Sequence, residues 1–174
     1  RVLDEMIPFM VENYGNPSSI HKHGREVKTS VENSRNKIAD ILGVTPGEIF
    51  FTSGGTEADN TFIINAIYSR KIKTAITSKI EHHAVLHTLE DLEKKNVIKI
   101  LYVNLDSNGH IDYNHLEELI SSNPKSLISL MHGNNEIGNI TNIERVAEVC
   151  NTNDSIFHSD TVQTIGHFNI NLSS

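Results

Sequence analysis

Ile49-Phe50-Phe51-Thr52-Ser53-Gly54-Gly55-Thr56-Glu57-Ala58-Asp59-Asn60 passes from an apolar, β-prone run through a pair of glycines into a helical pattern. With Glu48–Thr52 as the strand and Thr56–Tyr68 as the helix, it predicts one unit of an α/β fold. The glycines permit a turn that side chains would obstruct. The helix behind them points unpaired N–H groups and its positive dipole end at whatever binds there, with the Ser53 and Thr56 hydroxyls as added donors. An anion such as a phosphate group is the natural guest. The alternative is a plain helix cap at Thr56, with Asp59 as a weak capping-box partner. The turn has neither the Lys-Ser/Thr pair of a P-loop nor the G-x-G-x-x-G spacing of a dinucleotide fold.

The same alternation continues outward. Toward the N-terminus, Val2, Leu3, Met6, Ile7 and Met10 recur at helical spacing, Gly15–Ser19 is a turn cluster, and a long helix with Val27, Val31, Ile38, Ile41 and Leu42 on one side ends at Gly43 as its cap. Toward the C-terminus, strands are predicted at Lys73–Thr77, Val97–Val103, Ser126–Met131 and Ser155–Ser159. Helices fall between them at Ala84–Lys95, Asp112–Ser121 and Ile143–Asn151, and Asn108-Gly109 marks a tight turn after the Val97–Val103 strand. Strands alternating with helices of this length predict a three-layer α/β/α arrangement with a largely parallel sheet covered on both faces. Such sheets bind ligands beyond the carboxyl ends of their strands.

The 174 residues suit one domain with a hydrophobic core, and a 37% apolar fraction lies above a disordered composition. Net charge is −7 with the signs interspersed, so no basic stretch tracks a nucleic-acid backbone. The single cysteine, Cys150, excludes an internal disulfide and sits in an apolar-periodic segment, which reads as a buried structural thiol rather than a nucleophile. No apolar run is long enough to span a membrane, and none resembles a signal peptide. The sequons at Asn139, Asn153 and Asn171 are read as coincidental. Neither chain end reads as a natural domain boundary.

The predicted strand ends carry the polar residues. Glu81-His82-His83 admits three readings: metal ligands, acid–base residues, or an aromatic surface packed on a cofactor ring. Adjacent histidines on an extended segment point to opposite sides, so a shared metal is poor geometry and at most one of them faces a site. His132-Gly133-Asn134-Asn135 offers amide donors and acceptors, although turns also favour Asn. Asp160, after the last strand, is suited to keep a heterocyclic nitrogen protonated, and Gln163 can donate to a nearby phenolate-like oxygen. A phosphate grip, a stacking imidazole, a polar clamp and a carboxylate beside a ring nitrogen together form the inventory for pyridoxal 5′-phosphate.

GNPSSIHKHG (Gly15 to Gly24), IFFTSGGTEADN (Ile49 to Asn60), EHHAVL (Glu81 to Leu86), MHGNNEIG (Met131 to Gly138) and HSDTVQTIG (His158 to Gly166) occur in the order found in the cysteine desulfurases of the class V aminotransferase group. The chain resembles that family over essentially its whole length. The resemblance implies a fold-type I transferase in which residues 1–174 form part of the large, pyridoxal-phosphate-binding domain. It also implies that Gly55 and Thr56 bind the cofactor phosphate, and that His82 stacks on the pyridine ring and helps move protons. Asn135 would lie near cofactor and substrate, Asp160 would pair with the pyridine nitrogen, and Gln163 would bond the ring hydroxyl. The implied reaction takes sulfur from L-cysteine, leaving L-alanine and an enzyme persulfide that passes to an iron–sulfur scaffold or to tRNA thiolation. A cytoplasmic homodimer without a metal, and without nucleic-acid or membrane contact, completes the expectation.

The chain departs from the family at Asp160-Thr161-Val162-Gln163, where relatives read Asp-Ala-Thr-Gln or Asp-Ala-Ala-Gln. The Asp and Gln keep their spacing, and the changed neighbour alters local packing. The family's Ser-x-His-Lys segment, its mobile-loop cysteine and its small domain lie outside these residues, so the segment alone is expected to bind cofactor weakly and to turn over no cysteine. Alternatives are a selenocysteine lyase, another class V enzyme, or a non-catalytic interaction module.

Overall fold

The computed structural model describes residues 1–170 and 172, so the sequon at Asn171 lies outside the described residues. The chain divides into two compact units: Arg1–Phe51 together with the end of the chain from Asn169, and Thr52–Phe168.

The first unit is helical. Helix α1 (Val2–Val11) is followed by α2 (Lys22–Leu42), which starts at His21, whose ring accepts the Gly24 N–H, and stops at Gly43. Gly43 takes the left-handed conformation (φ 71°) expected of a glycine cap. Beyond it, Glu48 accepts both the Thr45 N–H (2.8 Å) and the Thr45 hydroxyl (2.7 Å), winding Pro46–Glu48 into a single 3-10 turn. The strand predicted at Glu48–Thr52 is not formed. A β-prone run becomes a strand only when a neighbouring chain takes its backbone groups. Among the described residues no ladder pairs with this segment; Phe50 is 81% exposed and the Ile49 carbonyl accepts from the Arg35 guanidinium instead.

The second unit alternates as predicted: α3 (Gly55–Arg70), β1 (Thr74–Thr77), α4 (His83–Lys94), β2 (Lys99–Tyr102), α5 (Tyr113–Ser122), β3 (Leu127–Ser129), α6 (Ile143–Thr152) and β4 (Ile156–His158). The four strands form one sheet in the order β2-β1-β3-β4, all parallel. Side chains alternate across it. Ala75, Ile100 and Leu127 meet Ile63 and Ile67 of α3 and Val85 and Leu89 of α4 on one face. Their sequence neighbours Ile76 and Ile128 meet Leu116 and Ile120 of α5 and Val146 and Cys150 of α6 on the other. Two cores separated by a sheet are the three-layer α/β/α architecture. Cys150 is 1% exposed, and burial pushes its thiol up to about 12, which suits a packing group better than a nucleophile. The Asn108-Gly109 turn is present, with Gly109 at φ 79° and a bridge between Leu105 and Ile111. No helix among the described residues is long and apolar enough to cross a membrane.

Because all four strands run the same way, their carboxyl ends share one edge. That edge of the second unit carries the predicted polar residues.

Candidate cofactor-binding site

A cavity of about 200 Å³ opens at this edge. Its floor is buried and consists of Asp59, Met131 and Asp160, which are 5%, 4% and 9% exposed. Its rim is exposed and carries Thr56, His82, Asn135 and Gln163, with Gly55 and Val162 between. The sequence-predicted residues Gly55, Thr56, His82, Asn135, Asp160 and Gln163 therefore share one cavity, although they come from four separated segments.

The start of α3 supplies one wall. Its first helical bond runs from the Ala58 N–H to the Gly54 carbonyl (3.2 Å), which leaves the N–H groups of Gly55, Thr56 and Glu57 ahead of it. Gly54, at the N-cap position, provides no side-chain cap. The capping-box pairing expected of Asp59 is not found. Glu57 does the local bonding instead: its carboxylate accepts the Ser53 N–H and hydroxyl, both at 2.6 Å. The hydroxyl first, then the N–H, holds the Glu57 carboxyl below its usual range, and the Ser53 hydroxyl is engaged there rather than aimed at a ligand.

His82 is the N-cap of α4. Its Nδ1 accepts the Ala84 N–H (3.1 Å), a bond that assigns the neutral tautomer with the proton on Nε2. His83, one residue on, stacks instead on His87 with ring centroids 5.0 Å apart. The two histidines thus part company, although only His82 is extended and His83 is already the first residue of α4.

The two asparagines also divide. Asn134 is structural: its amide donates to the Ile80 carbonyl (2.8 Å) while its oxygen accepts the N–H groups of Glu136 (2.8 Å) and Ile137 (3.0 Å). Asn135 is left exposed at the cavity rim. Asp160 follows β4 on a turn in which its Oδ1 accepts the Val162 N–H (2.9 Å), so one carboxylate oxygen is fixed by the backbone two residues on.

The sequence reading gives Glu81 and His158 no role of their own and offers Asp59 only as a weak capping partner. Glu81 is 6% exposed; one carboxyl oxygen meets the Ser78 hydroxyl (2.6 Å) and the other accepts the Met131 N–H (2.8 Å). With the Asn134–Ile80 bond, this ties the His82 loop to the loop carrying Asn135. Burial, and more weakly the charges of Asp160 and Asp59, push the Glu81 carboxyl up to about 8 against the lowering effect of its two hydrogen bonds. Asp59 Oδ1 lies 3.3 Å from His158 Nε2, His158 Nδ1 lies 2.9 Å from the Ser129 hydroxyl, and Phe62 stacks on the same ring at 5.0 Å. One sequence signal did exist for Asp59. It stands on the same helical stripe as Ile63, Ala66 and Ile67, which are all buried, and a carboxylate on a buried stripe needs a partner.

A cavity at the carboxyl edge of a parallel sheet, with free helix N–H groups at one wall and a buried carboxylate on its floor, defines an α/β ligand-binding class of protein. Comparison with known proteins makes this specific. A model of the family described as aminotransferase class-V matches residues 1–174, and the chain belongs to that family. Cysteine desulfurase IscS of Dictyoglomus turgidum is 44% identical over 173 residues, which cover 98% of this chain and 43% of that protein. A solved NifS-like protein superposes with a TM-score of 0.91 at 41% identity, covering 99% of this chain and 48% of that one. SspA in complex with cysteine superposes with a TM-score of 0.90 at 34% identity, covering 98% and 49%. The chain therefore spans less than half the length of these relatives.

Proposed function

We propose that the protein carrying this chain is a pyridoxal-phosphate-dependent cysteine desulfurase, and that the cavity between α3 and the Asp160 turn is where the cofactor sits. The observation that carries this reading is the meeting of Gly55, Thr56, His82, Asn135, Asp160 and Gln163 in one cavity, on a chain whose relatives are cysteine desulfurases.

The donor set fits the group. The N–H groups at the start of α3, with the Thr56 hydroxyl, suit a phosphate. Asp160 is buried and oriented by the Val162 N–H, so it can hold a proton on a ring nitrogen where water is scarce. Gln163 can donate to the ring hydroxyl, and Asn135 can bond cofactor or substrate from the rim. When bound, pyridoxal phosphate supplies an electron sink for carbanion chemistry. The capping bond at His82 Nδ1 leaves Nε2 as the nitrogen free to hold or pass a proton, and the imidazole face can cover the ring. L-Cysteine as sulfur donor, an iron–sulfur scaffold or thiolation partner as acceptor, a homodimer and a cytoplasmic setting belong to the same proposal.

The full-length protein loaded with pyridoxal phosphate should convert L-cysteine to L-alanine, with Asp160→Ala lowering the rate by at least about a hundredfold. Alanine release is measured directly. A loaded protein that forms no alanine, or a variant that matches wild type, contradicts the proposal; alanine from L-selenocysteine alone points to a lyase.

A further inference from the structure

The turn bearing Asp160 and Gln163 is seated between two glycines. A Cβ built on Gly55 would stand 2.8 Å from Val162 Cγ2, and one built on Gly133 would stand 2.5 Å from Thr164 Cγ2. Both lie well inside the separation of about 3.5–4.0 Å at which carbon atoms rest. Val162 and Thr164 are β-branched and stiff at χ1, so their methyl groups do not swing aside without cost. The turn between them is closely bonded: Thr164 and Ile165 donate their N–H groups to the Thr161 carbonyl at 2.9 and 2.8 Å. The Val162 N–H holds Asp160 Oδ1 at 2.9 Å. Val162 thus touches both working parts of the cavity, through its N–H to the carboxylate and through its methyl to the first residue of α3.

The two contacts differ in setting. Thr164 is 1% exposed, and its contact with Gly133 is interior packing. Val162 is 59% exposed and lines the cavity beside Gly55. A half-exposed methyl contributes little to folding, whereas a methyl at the cavity wall sets the width of what the cavity accepts.

We propose that Gly55 and Val162 are a matched pair of positioning residues that set the spacing between the anion-binding start of α3 and the Asp160–Gln163 turn, and thereby the affinity for the cofactor. The inference rests on the reading of this cavity as the pyridoxal phosphate site. Gly55 is required because Val162 occupies the space its side chain would need, and Val162 fills the space Gly55 leaves. Val162, two residues after Asp160, and the second glycine of the Ser53–Thr56 turn are therefore one feature.

A double-mutant cycle in the full-length protein tests it. Gly55→Ala should weaken pyridoxal phosphate binding about tenfold through overpacking. Alanine is the better helix former, so a loss cannot be charged to α3 itself. Val162→Ala alone should change affinity by about threefold or less, and the pair Gly55→Ala/Val162→Ala should return to within about threefold of wild type. Binding is read by fluorescence titration with pyridoxal phosphate, and melting temperature by circular dichroism of the cofactor-free protein. The melting temperature of Gly55→Ala should fall less than that of Gly133→Ala, whose Cβ would meet a buried methyl. Losses that multiply in the double variant, or a Gly55→Ala protein that binds like wild type, overturn the pairing while the cavity assignment stands. A wild-type protein that binds no pyridoxal phosphate overturns the cavity assignment, and the pairing with it.

Discussion

Two kinds of helix start stand in the second unit of this protein. Helices α4, α5 and α6 are each closed by a side chain of their own cap: His82 accepts the Ala84 N–H, Asp112 accepts the N–H groups of Asn114 and His115, and Asn142 accepts the Arg145 N–H. Helix α3 has Gly54 at that position and no such bond. The unspent N–H groups at α3 open onto a cavity with the buried carboxylates of Asp59 and Asp160 on its floor, whereas α5 and α6 begin away from it. The difference teaches how one scaffold separates stability from binding. A cap that satisfies its helix adds about 1 kcal/mol to the fold; a helix start left unsatisfied is available for a ligand's charge.

The sharpest way to break this comparison is to give α3 a cap. Space exists, since a Cβ on Gly54 meets nothing within 4 Å. Gly54→Asp should raise the melting temperature by about 1–3 °C through capping and the helix dipole. The same change should weaken pyridoxal phosphate binding on the order of a hundredfold, because a carboxylate then occupies and repels the phosphate position. Opposite signs on stability and affinity are the signature to measure, by thermal melts and ligand titration on one sample.

The next largest effect concerns pH, and it contrasts the neutral interior acid with the charged acids at the helix starts. The Glu81 carboxyl is raised from 4.5 to about 8 in the folded protein, chiefly by burial. The folded state therefore binds this proton more tightly than the unfolded chain. Its stabilising contribution is complete below about pH 4.5, wanes as the pH rises toward 8, and is gone above that. Asp160 and Asp59, the neighbouring charges, act in the same direction. Glu81→Gln keeps both hydrogen-bonding positions and removes the ionisation, so its melting temperature should fall less steeply than wild type between those limits. Equal slopes would count against a buried neutral Glu81.

The smallest effect sharpens the role of His82 as a cap. His82→Ala should lower the melting temperature by about 2–4 °C, while His82→Asn, whose amide oxygen can take the Ala84 N–H, should recover most of that loss. A fall of the same size in both variants would show that the imidazole stabilises α4 by packing rather than by capping.

Much of this arrangement is legible in the residues themselves. Lys73–Thr77 and Ser126–Met131 read as strands because short apolar runs flanked by helical patterns suit a sheet covered on both faces, and the structure, with strands at Thr74–Thr77 and Leu127–Ser129, puts Ala75 and Ile76 into opposite cores. Glu48–Thr52 has the same local character and forms no strand, because pairing belongs to the neighbours rather than to the run. Asp160 and Thr56 stand out from their positions after a strand and after a glycine pair. Asp59 fits the alternative of a capping partner by spacing alone, because helix-start rules see spacing and not the side of the helix that faces inward, where it meets His158. Thr161 and Val162 both depart from the family pattern after Asp160, but Gly55, which Val162 meets, lies over a hundred residues away, and only folding brings the two together. Local chemistry is written locally; contact between distant segments is not.

The most direct test of the central claim, that the uncapped start of α3 is the phosphate end of a cofactor site, is a pair of titrations on the full-length protein and its Gly54→Asp variant. One uses pyridoxal phosphate and the other pyridoxal, which lacks the phosphate. The substitution should cost pyridoxal phosphate on the order of a hundredfold in affinity and change pyridoxal by less than about threefold. Equal losses for both ligands, or no loss for either, would contradict it.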